Sequence, residues 1–289
     1  MKKFHVLKSL VLIALAAPLS AAELSMPLWD DLQIIPAGEF AMGSAPAEID
    51  HDRDESPRHI VKLDSFRLSK YMVTRAEFTV FVAATNYDTG RGCFALENGR
   101  WLPRIERDWQ HPGYAQSERD PVVCVSWHDA QAYAKWLSQK SGKTYRLPTE
   151  AEYEYATRAG TTSSRFWGDT TEQACVFANV GDVSLQNAGA YTVKKRHPCD
   201  DRFIFTAPVG SFRANPWGLF DMLGNAWAWT QDCYHADYHA HASDPNCSLR
   251  VARGGSWQSS PALLRVALRA QAVPDGRSNL GGFRLAADN

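Results

Sequence analysis

The chain has 289 residues, of which 45% are hydrophobic, and its formal net charge is −1 at pH 7. This balance of charge argues against nucleic acid or an anionic membrane surface as the partner. The hydrophobic fraction is ordinary for a globular protein, and the length is ample for one large core. The sequence contains no internal repeat, low-complexity linker or break in composition, so we expect a single domain over residues 23–289.

The N-terminal 22 residues have the pattern of a secretory signal peptide. Three lysines precede an apolar segment at 11–17, and Ser20, Ala21 and Ala22 fit a small-residue cleavage site. The apolar segment is too short for a stable membrane span. We therefore expect export to the periplasm with cleavage after Ala22 and no membrane span elsewhere. The mature chain would keep 28 of the 31 basic residues against 32 acidic ones, a formal charge of −4.

Helix caps are the clearest local signals further along the chain. Thr74 with Glu77 and Thr149 with Glu152 have the spacing of capping boxes, and Ser126 offers a weaker cap. They predict helices after each cap, the last one reaching Arg158. Short strands are predicted at 38–42, 59–66, 207–212, 250–254 and 283–287. Two or three helices with short antiparallel strands indicate a loop-rich α+β domain.

Two polar segments need separate interpretation. The acidic run at 48–55 is expected to be a solvated loop. His235, Asp237, His239 and His241 recur at every second position, and on an extended chain they would share one face and bind a transition metal. We favour the alternative, a polar surface loop.

Six cysteines in an exported chain indicate disulfide bonds. Six cysteines allow fifteen pairings, and the sequence does not choose among them. Nearest-neighbour pairing gives Cys93–Cys124, Cys175–Cys199 and Cys233–Cys247. No two cysteines have the Cys-x-x-Cys spacing, so zinc binding and thioredoxin-like redox chemistry have little support.

Nine ordered blocks of sequence span 35–44, 57–59, 73–78, 121–127, 146–155, 224–229, 253–257, 265–269 and 279–284. Together these blocks resemble the formylglycine-generating enzyme (sulfatase-modifying factor) family. The resemblance implies a variant of the C-type lectin fold. It also implies that Arg146, Glu150 and Glu152 form a helix cap and buried ion pairs and are not catalysts.

The resemblance also implies where copper would bind, because formylglycine-generating members hold it with two cysteines after the block at 253–257. Here the segment 258–264 contains no cysteine, and Gln258 and Ser259 stand where the copper ligands begin. Soft thiolates favour copper(I), whereas amide and hydroxyl groups do not. We therefore expect no copper at this position and no formylglycine generation, and the redox cofactor is left unknown.

The resemblance implies a set of pocket residues, namely Trp227, Arg253, Ser256, Trp257, Gln258 and Arg269. Trp227, Ser256 and Gln258 are the catalytic candidates, and Trp227 also joins Arg253, Trp257 and Arg269 as a candidate substrate contact. A tryptophan in this motif is equally well explained as a core residue. No histidine and acid stand beside Ser256, so a hydrolytic triad is not supported.

Two calcium sites are implied by the same resemblance, and their oxygen ligands suit this hard cation. The first would use the side chains of Asn179 and Asp201 with the carbonyls of Val180 and Phe203. The second would use Asp221 with the carbonyls of Gly224 and Ala226, but Ala228 replaces its usual closing glutamate. We expect one structural calcium ion, at the first site.

Two functions follow. Among exported members, the chain is similar to those that mature the peptide siderophore pyoverdine, which implies an oxidoreductase acting on the dihydro-chromophore of a peptide precursor, with other periplasmic maturation enzymes as possible partners. The alternative is a lectin-like binding or accessory module without chemistry, because a fold does not fix a function.

Overall fold

A computed structural model describes residues 31–97, 100–189, 195–239 and 247–288. The predicted signal peptide and His241 lie outside these residues. The described part of the chain contains no helix that is long and apolar enough to cross a membrane.

Within the described residues, the domain consists of short strands, three helices of at least two turns and two helices of about one turn. The helices are α1 (Arg75–Thr85), α2 (Trp127–Ser141), α3 (Glu150–Arg158), α4 (Ala174–Phe177) and α5 (Val183–Asn187). The first strands are β1 (Leu32–Ile35), β2 (Gly38–Met42), β3 (His59–Leu63), β4 (Phe66–Ser69), β5 (Cys93–Glu97) and β6 (Arg100–Arg104). The later strands are β7 (Tyr145–Arg146), β8 (Trp227–Cys233), β9 (Arg250–Arg253), β10 (Arg269–Ala272), β11 (Gly281–Gly282) and β12 (Ala286–Ala287). This mixture confirms the predicted α+β class.

The strands form two four-stranded sheets and two two-stranded hairpins within the described residues. The strand orders are β1-β4-β12-β7 and β10-β9-β8-β11, and the hairpins are β2-β3 and β5-β6. All named pairs are antiparallel except β11 with β8. The strands of the second sheet carry three of the predicted site residues, Trp227, Arg253 and Arg269.

The three longer helices begin where the caps predict. The Thr74, Ser126 and Thr149 side chains each accept from the backbone of the residue three positions later, and the capping box is complete in all three. Arg146 pairs with Glu152 at 2.7 Å, which confirms the predicted structural role of that pair. Each helix is thus fixed at its N-terminus by groups encoded within four residues.

Aromatic side chains hold the largest core cluster together. Phe78 and Phe81 of α1 meet Tyr133 of α2 and Phe283 with ring centroids 5.4 to 6.3 Å apart. All four side chains are almost fully buried. This packing joins the two longest helices to the C-terminal segment and supports the sheets that carry the site.

The predicted strand at 207–212 is wrong. Its backbone groups bond to side chains instead of a neighbouring strand: Ala207 exchanges hydrogen bonds with the Asn225 amide, and the Gly210 N–H donates to Asp221. Gly210 has a φ of +79°, outside the β region. The predicted strand at 59–66 is interrupted after residue 63, and only the last two residues of 283–287 are a strand.

The solvated loop expected at 48–55 is confirmed at residues 49, 50, 52 and 53, which are exposed, but the prediction is wrong for the last residue, which is buried. The Glu55 carboxylate is inaccessible and forms an ion pair with Arg265. The Ser44 hydroxyl donates to the same carboxylate. A buried carboxylate needs such partners, and Arg265 lies too far away in sequence for the acidic run to reveal it.

The structure confirms the nearest-neighbour disulfides Cys93–Cys124, Cys175–Cys199 and Cys233–Cys247. The bonded residues are separated by 31, 24 and 14 positions along the chain.

Candidate functional site

A cavity of about 430 Å³ opens beside the β8–β9–β10 sheet. Its volume lies in the range of small-molecule sites. The lining is mainly apolar and consists of Phe94, Trp101, Val125, Trp227, Trp229, Ala252, Gln258, Ala270, Gln271, Ala272, Val273, Gly276, Arg277, Ser278, Leu280 and Gly281. Two predicted catalytic candidates, Trp227 and Gln258, are therefore in one place.

Trp227 begins β8 and is only partly buried. Its N–H donates to Leu280 at 2.8 Å, and it is paired with Gly281 across the parallel ladder. The backbone is thus fixed while the indole borders the cavity. The amide oxygen of Gln258 is buried without a hydrogen-bond partner among the described residues. An unpaired buried acceptor is costly unless a ligand or water completes it.

Ser256 and Trp257 lie behind the cavity and not on its surface. Ser256 is fully buried, and its N–H donates to the Ser259 hydroxyl at 2.9 Å. Trp257 is 1% exposed and packs edge-on against Tyr114 and Phe205. The predicted substrate contact at Trp257 is therefore wrong in this arrangement, because the indole is a core side chain.

The predicted substrate contact at Arg253 does not agree with the structure either. Its side chain is inaccessible to solvent and ion-pairs with Glu154. Further donors go to the carbonyls of Ala267 and Leu268 at 2.6 and 2.7 Å. An arginine enclosed in this way has no face toward a substrate, so its role is structural.

Arg269 is likewise occupied within the protein. Its guanidinium donates to Glu150 at 2.7 Å and lies 4.4 Å from the centre of the Tyr238 ring. The side chain is almost fully buried. The prediction of a substrate contact at Arg269 is wrong for the same reason as at Arg253, because both side chains join the buried ion pairs around α3.

Sequence reasoning missed the hairpin that forms one wall of the cavity. Phe94 on β5 and Trp101 on β6 are 50% and 42% exposed, and both line the cavity. The dipeptide Asn98-Gly99 between the two strands is typical of two-residue hairpins. That signal was available to predict the hairpin, although it does not reveal which surface the hairpin covers.

The residues of the first predicted calcium site come together in the fold. The Val180 N–H donates to Asp201 Oδ2 at 2.8 Å, which places this carboxylate beside Asn179. The Asn179 side chain is fully buried, and its Oδ1 atom has no hydrogen-bond partner among the described residues. Burial raises the pKa of Asp201 to about 7. A bound cation would be a partner for the Asn179 Oδ1 atom and would favour the ionised form of the Asp201 carboxylate. These two side chains therefore fit calcium.

Asp182 is a further acid at this position that the sequence did not indicate. Its Oδ2 atom accepts from the Asp201 N–H at 2.5 Å, and its Oδ1 atom caps α5 through the Leu185 N–H at 3.2 Å. Asp182, Asp201 and Cys175 each place one potential ligand atom within 4.8 Å of the others. The Cys175 sulfur is in a disulfide, so only the carboxylates remain as metal ligands.

Of the second predicted calcium site, the Asp221 side chain is placed as a ligand would be. Asp221 is buried, which raises its pKa, and its Oδ1 atom has no hydrogen-bond partner in the described part of the chain. Gly224 contacts the Asn179 carbonyl so closely that no Cβ would fit. Ala228, where the closing acid would stand, is fully buried in an apolar cluster. The acid that would complete this second site is therefore missing.

The structure favours the polar loop for the histidine cluster. Strand β8 ends at Cys233, so His235, Asp237 and His239 are not on one extended strand. Over the described residues, the one group of three His, Cys, Asp or Glu side chains with their ligand atoms close together is the one around Asp201, and it contains no histidine.

Comparisons with known proteins agree with the fold. A family model described as "Sulfatase-modifying factor enzyme 1-like domain" matches residues 22–289. The formylglycine-generating enzyme of Bos taurus is 34% identical over 293 residues, covering 88% of this chain and 74% of the relative. The enzyme of that name from Streptomyces coelicolor is also 34% identical, covering 88% of each protein.

Solved structures give the same result. PvdO from Pseudomonas aeruginosa superimposes with a TM-score of 0.75 at 31% identity, over 89% of this chain and 94% of that one. Treponema denticola variable protein 1, with a TM-score of 0.62 and 23% identity over 89% of this chain and 95% of that one, shares the fold. The match across nearly the whole chain, together with the arrangement of the blocks in the fold, shows that this protein belongs to the sulfatase-modifying factor enzyme 1-like family.

Proposed function

We propose that this protein matures a peptide siderophore of the pyoverdine type in the periplasm by oxidising the dihydro-chromophore of its precursor. The observation that carries the proposal is the aromatic cavity that contains both Trp227 and Gln258. The likeness to PvdO supports the same assignment. The lack of cysteine in the segment 258–264 argues against copper-dependent formylglycine formation.

The residues of the cavity suggest how the chain would assist this oxidation. The indole of Trp227 stacks on the chromophore, and the unpaired Oε1 atom of Gln258 accepts a hydrogen bond from an N–H or O–H of the dihydro ring. That hydrogen bond increases the electron density of the ring that is to be oxidised. Dioxygen takes up two electrons and two protons from the dihydro ring and becomes hydrogen peroxide, so the reaction balances.

Calcium would hold the loops behind the cavity and take no part in the oxidation. Asn179 and Asp201 would bind it through oxygen atoms. The Asn179 carbonyl accepts from the Asn225 N–H at 2.9 Å, and the Asn225 carbonyl accepts from the Trp257 N–H at 2.9 Å. The calcium residues are thus linked by the backbone to the segment that carries Gln258.

The test is mass spectrometry of the precursor incubated with the purified protein in air. We expect loss of two hydrogens and formation of hydrogen peroxide. Trp227→Ala should slow conversion at least tenfold if stacking contributes about 1.5 kcal/mol. Ile60→Ala, an exposed apolar position on the other hairpin, is the control and should convert the precursor normally. An unchanged precursor mass with the wild-type protein would refute the oxidation.

One observation favours the alternative of a binding module. Arg277 is the one charged side chain among the described residues of the lining, and it is ion-paired with Asp129 at 3.0 Å. The cavity thus lacks a free titratable group for acid or base catalysis. A binding module would bind the precursor with measurable affinity in calorimetry and leave its mass unchanged.

A further inference from the structure

We propose that the β5–β6 hairpin is the element that recognises the substrate, with Phe94 and Trp101 binding the flat face of an aromatic ring within an uncharged bicyclic group against Trp227. This inference deepens the proposed function and rests on it for the identity of the natural substrate. The binding of the ring itself does not depend on any chemical step.

The register of the hairpin places the two aromatic residues on one face. Phe94 pairs with Pro103, and Trp101 is two residues from Pro103 on the same strand. Facing residues of an antiparallel pair, and residues two positions apart on one strand, project from the same side. Phe94 and Trp101 are therefore diagonal neighbours, and both border the cavity.

Backbone contacts hold this face in position. The Phe94 N–H donates to the backbone carbonyl of Arg277 at 2.8 Å, and the Phe94 carbonyl accepts from the Asn279 N–H at 2.9 Å. The neighbouring Cys93 is bonded to Cys124, whose N–H donates to Ser278 at 2.9 Å. A wall fixed in this way is preorganised, which reduces the entropy lost when a ligand is bound.

The exposure of the two side chains is otherwise unexplained. Large aromatic groups stabilise a protein by burial, yet Phe94 and Trp101 leave about half of their surface in solvent. Trp227 borders the same space from β8. Aromatic groups on two different elements that share one cavity offer a ring contacts on both of its faces.

Charge and size then define the ligand. The guanidinium of Arg277 is neutralised by Asp129, so the cavity does not select a strongly charged ring. A volume of about 430 Å³ accepts a bicyclic ring with the beginning of an attached chain. Gln258, Gln271 and Ser278 can provide hydrogen bonds at its edge. The ligand class is a neutral bicyclic group that contains a flat aromatic ring and carries hydrogen-bonding substituents.

The experiment compares two neutral probes by calorimetry with the full chain. Naphthalenemethanol is aromatic, and its fully hydrogenated counterpart has the same carbon skeleton without a flat ring. We expect the aromatic probe to bind at least threefold more tightly, because stacking adds to the burial of area. Equal affinity for both probes would show that the cavity is merely apolar and would overturn the inference.

Variants locate the binding. Phe94→Ala and Trp101→Ala should each weaken naphthalenemethanol binding by about three- to tenfold, and Trp101→Phe should restore most of the affinity. Ile60→Ala, on the β2–β3 hairpin, should bind the probe as the wild type does. Melting temperatures close to that of the wild type would establish that the Phe94 and Trp101 variants are folded, as their exposure predicts. Unchanged probe binding in both folded variants would contradict the inference.

The same protein samples separate this inference from the proposed function. Aromatic-selective binding that depends on Phe94 and Trp101, without oxidation of the precursor, would support the ring site and refute the oxidation. Oxidation of the precursor without aromatic selectivity would support the proposed function and refute the ring site.

Discussion

The guanidinium of Arg253 donates to the carboxylate of Glu154, and neither side chain is exposed to solvent. Arg158 donates to the same carboxylate at 2.7 Å. The two arginines belong to β9 and α3, so the shared acid joins the second sheet to the helix behind it. This relationship explains why an arginine of the family motif contributes to the fold and not to the cavity.

Replacing Arg253 with alanine would remove one of the two arginines that neutralise the buried Glu154 carboxylate. We expect Arg253→Ala to lower the free energy of unfolding by about 3–5 kcal/mol. Arg250→Ala, on the same strand but only partly buried, should cost about 1 kcal/mol or less. Urea unfolding measures both. If Arg253→Ala is as stable as the wild type but no longer binds the precursor, Arg253 contacts the substrate and its structural role is refuted.

Gln258→Leu removes the unpaired amide oxygen at the cavity and keeps the approximate volume. The hydrogen bond from the precursor to this oxygen is then lost. A neutral hydrogen bond contributes about 1.4 kcal/mol, so oxidation of the precursor should slow by about tenfold. Steady-state rates with saturating precursor provide the measurement. Gln186→Leu, an exposed glutamine on α5, is the control. Equal rates for the two variants would show that Gln258 has no part in the reaction.

Calcium removal should destabilise the protein through Asn179 and Asp201. A ligand at about a hundred times its Kd stabilises the native state by about 2.7 kcal/mol, so chelation should lower the melting temperature by roughly 5 °C or more. Asp201→Asn should abolish this shift, whereas Asp64→Asn, at an exposed position, should keep it. If chelation leaves the melting temperature of the wild type unchanged, the site does not bind calcium.

Asp232 makes stability depend on pH. Its Oδ2 atom accepts from the Glu150 N–H at 2.6 Å, and burial, with the nearby Glu150 charge, raises its pKa to about 6. The folded state therefore binds this proton more tightly than the unfolded state does, and the associated stability is present below about pH 4 and lost as the pH rises through about 6.

Asp232→Asn keeps an oxygen acceptor and removes the charge. We expect the variant to gain roughly 2–4 °C in melting temperature at about pH 7.5 and nothing at about pH 4. Thermal unfolding across this pH range is the measurement. A uniform change at every pH would indicate a packing effect and would rule out the titration of Asp232 as the cause.

The sequence predicted those features that depend on near neighbours. The caps at Thr74, Ser126 and Thr149 act within three residues, and the disulfides join successive cysteines. The prediction of a strand at 207–212 was wrong because its backbone N–H groups donate to the side chains of Asn225 and Asp221 and not to a neighbouring strand. Hydrophobic alternation does not contain that information.

The candidate site could be predicted only in part, because some of its residues are determined by contacts that are distant in sequence. Trp227 belongs to a block that the resemblance covers, Gln258 directly follows another such block, and both residues line the cavity. Arg253 and Arg269 were misassigned because their acidic partners are 99 and 119 residues away. Whether an arginine contacts a substrate or a buried acid depends on contacts of that range, which a single sequence does not show.

The order of the disulfides has a consequence for how the chain matures. The first cysteine is bonded to the second, the third to the fourth and the fifth to the sixth, so no disulfide requires a cysteine from the distant end of the polypeptide. If the chain emerges from its N-terminus into an oxidising environment, each pair becomes available before the following pair appears. Oxidation in order of emergence then yields the native set directly, without a phase of thiol–disulfide reshuffling.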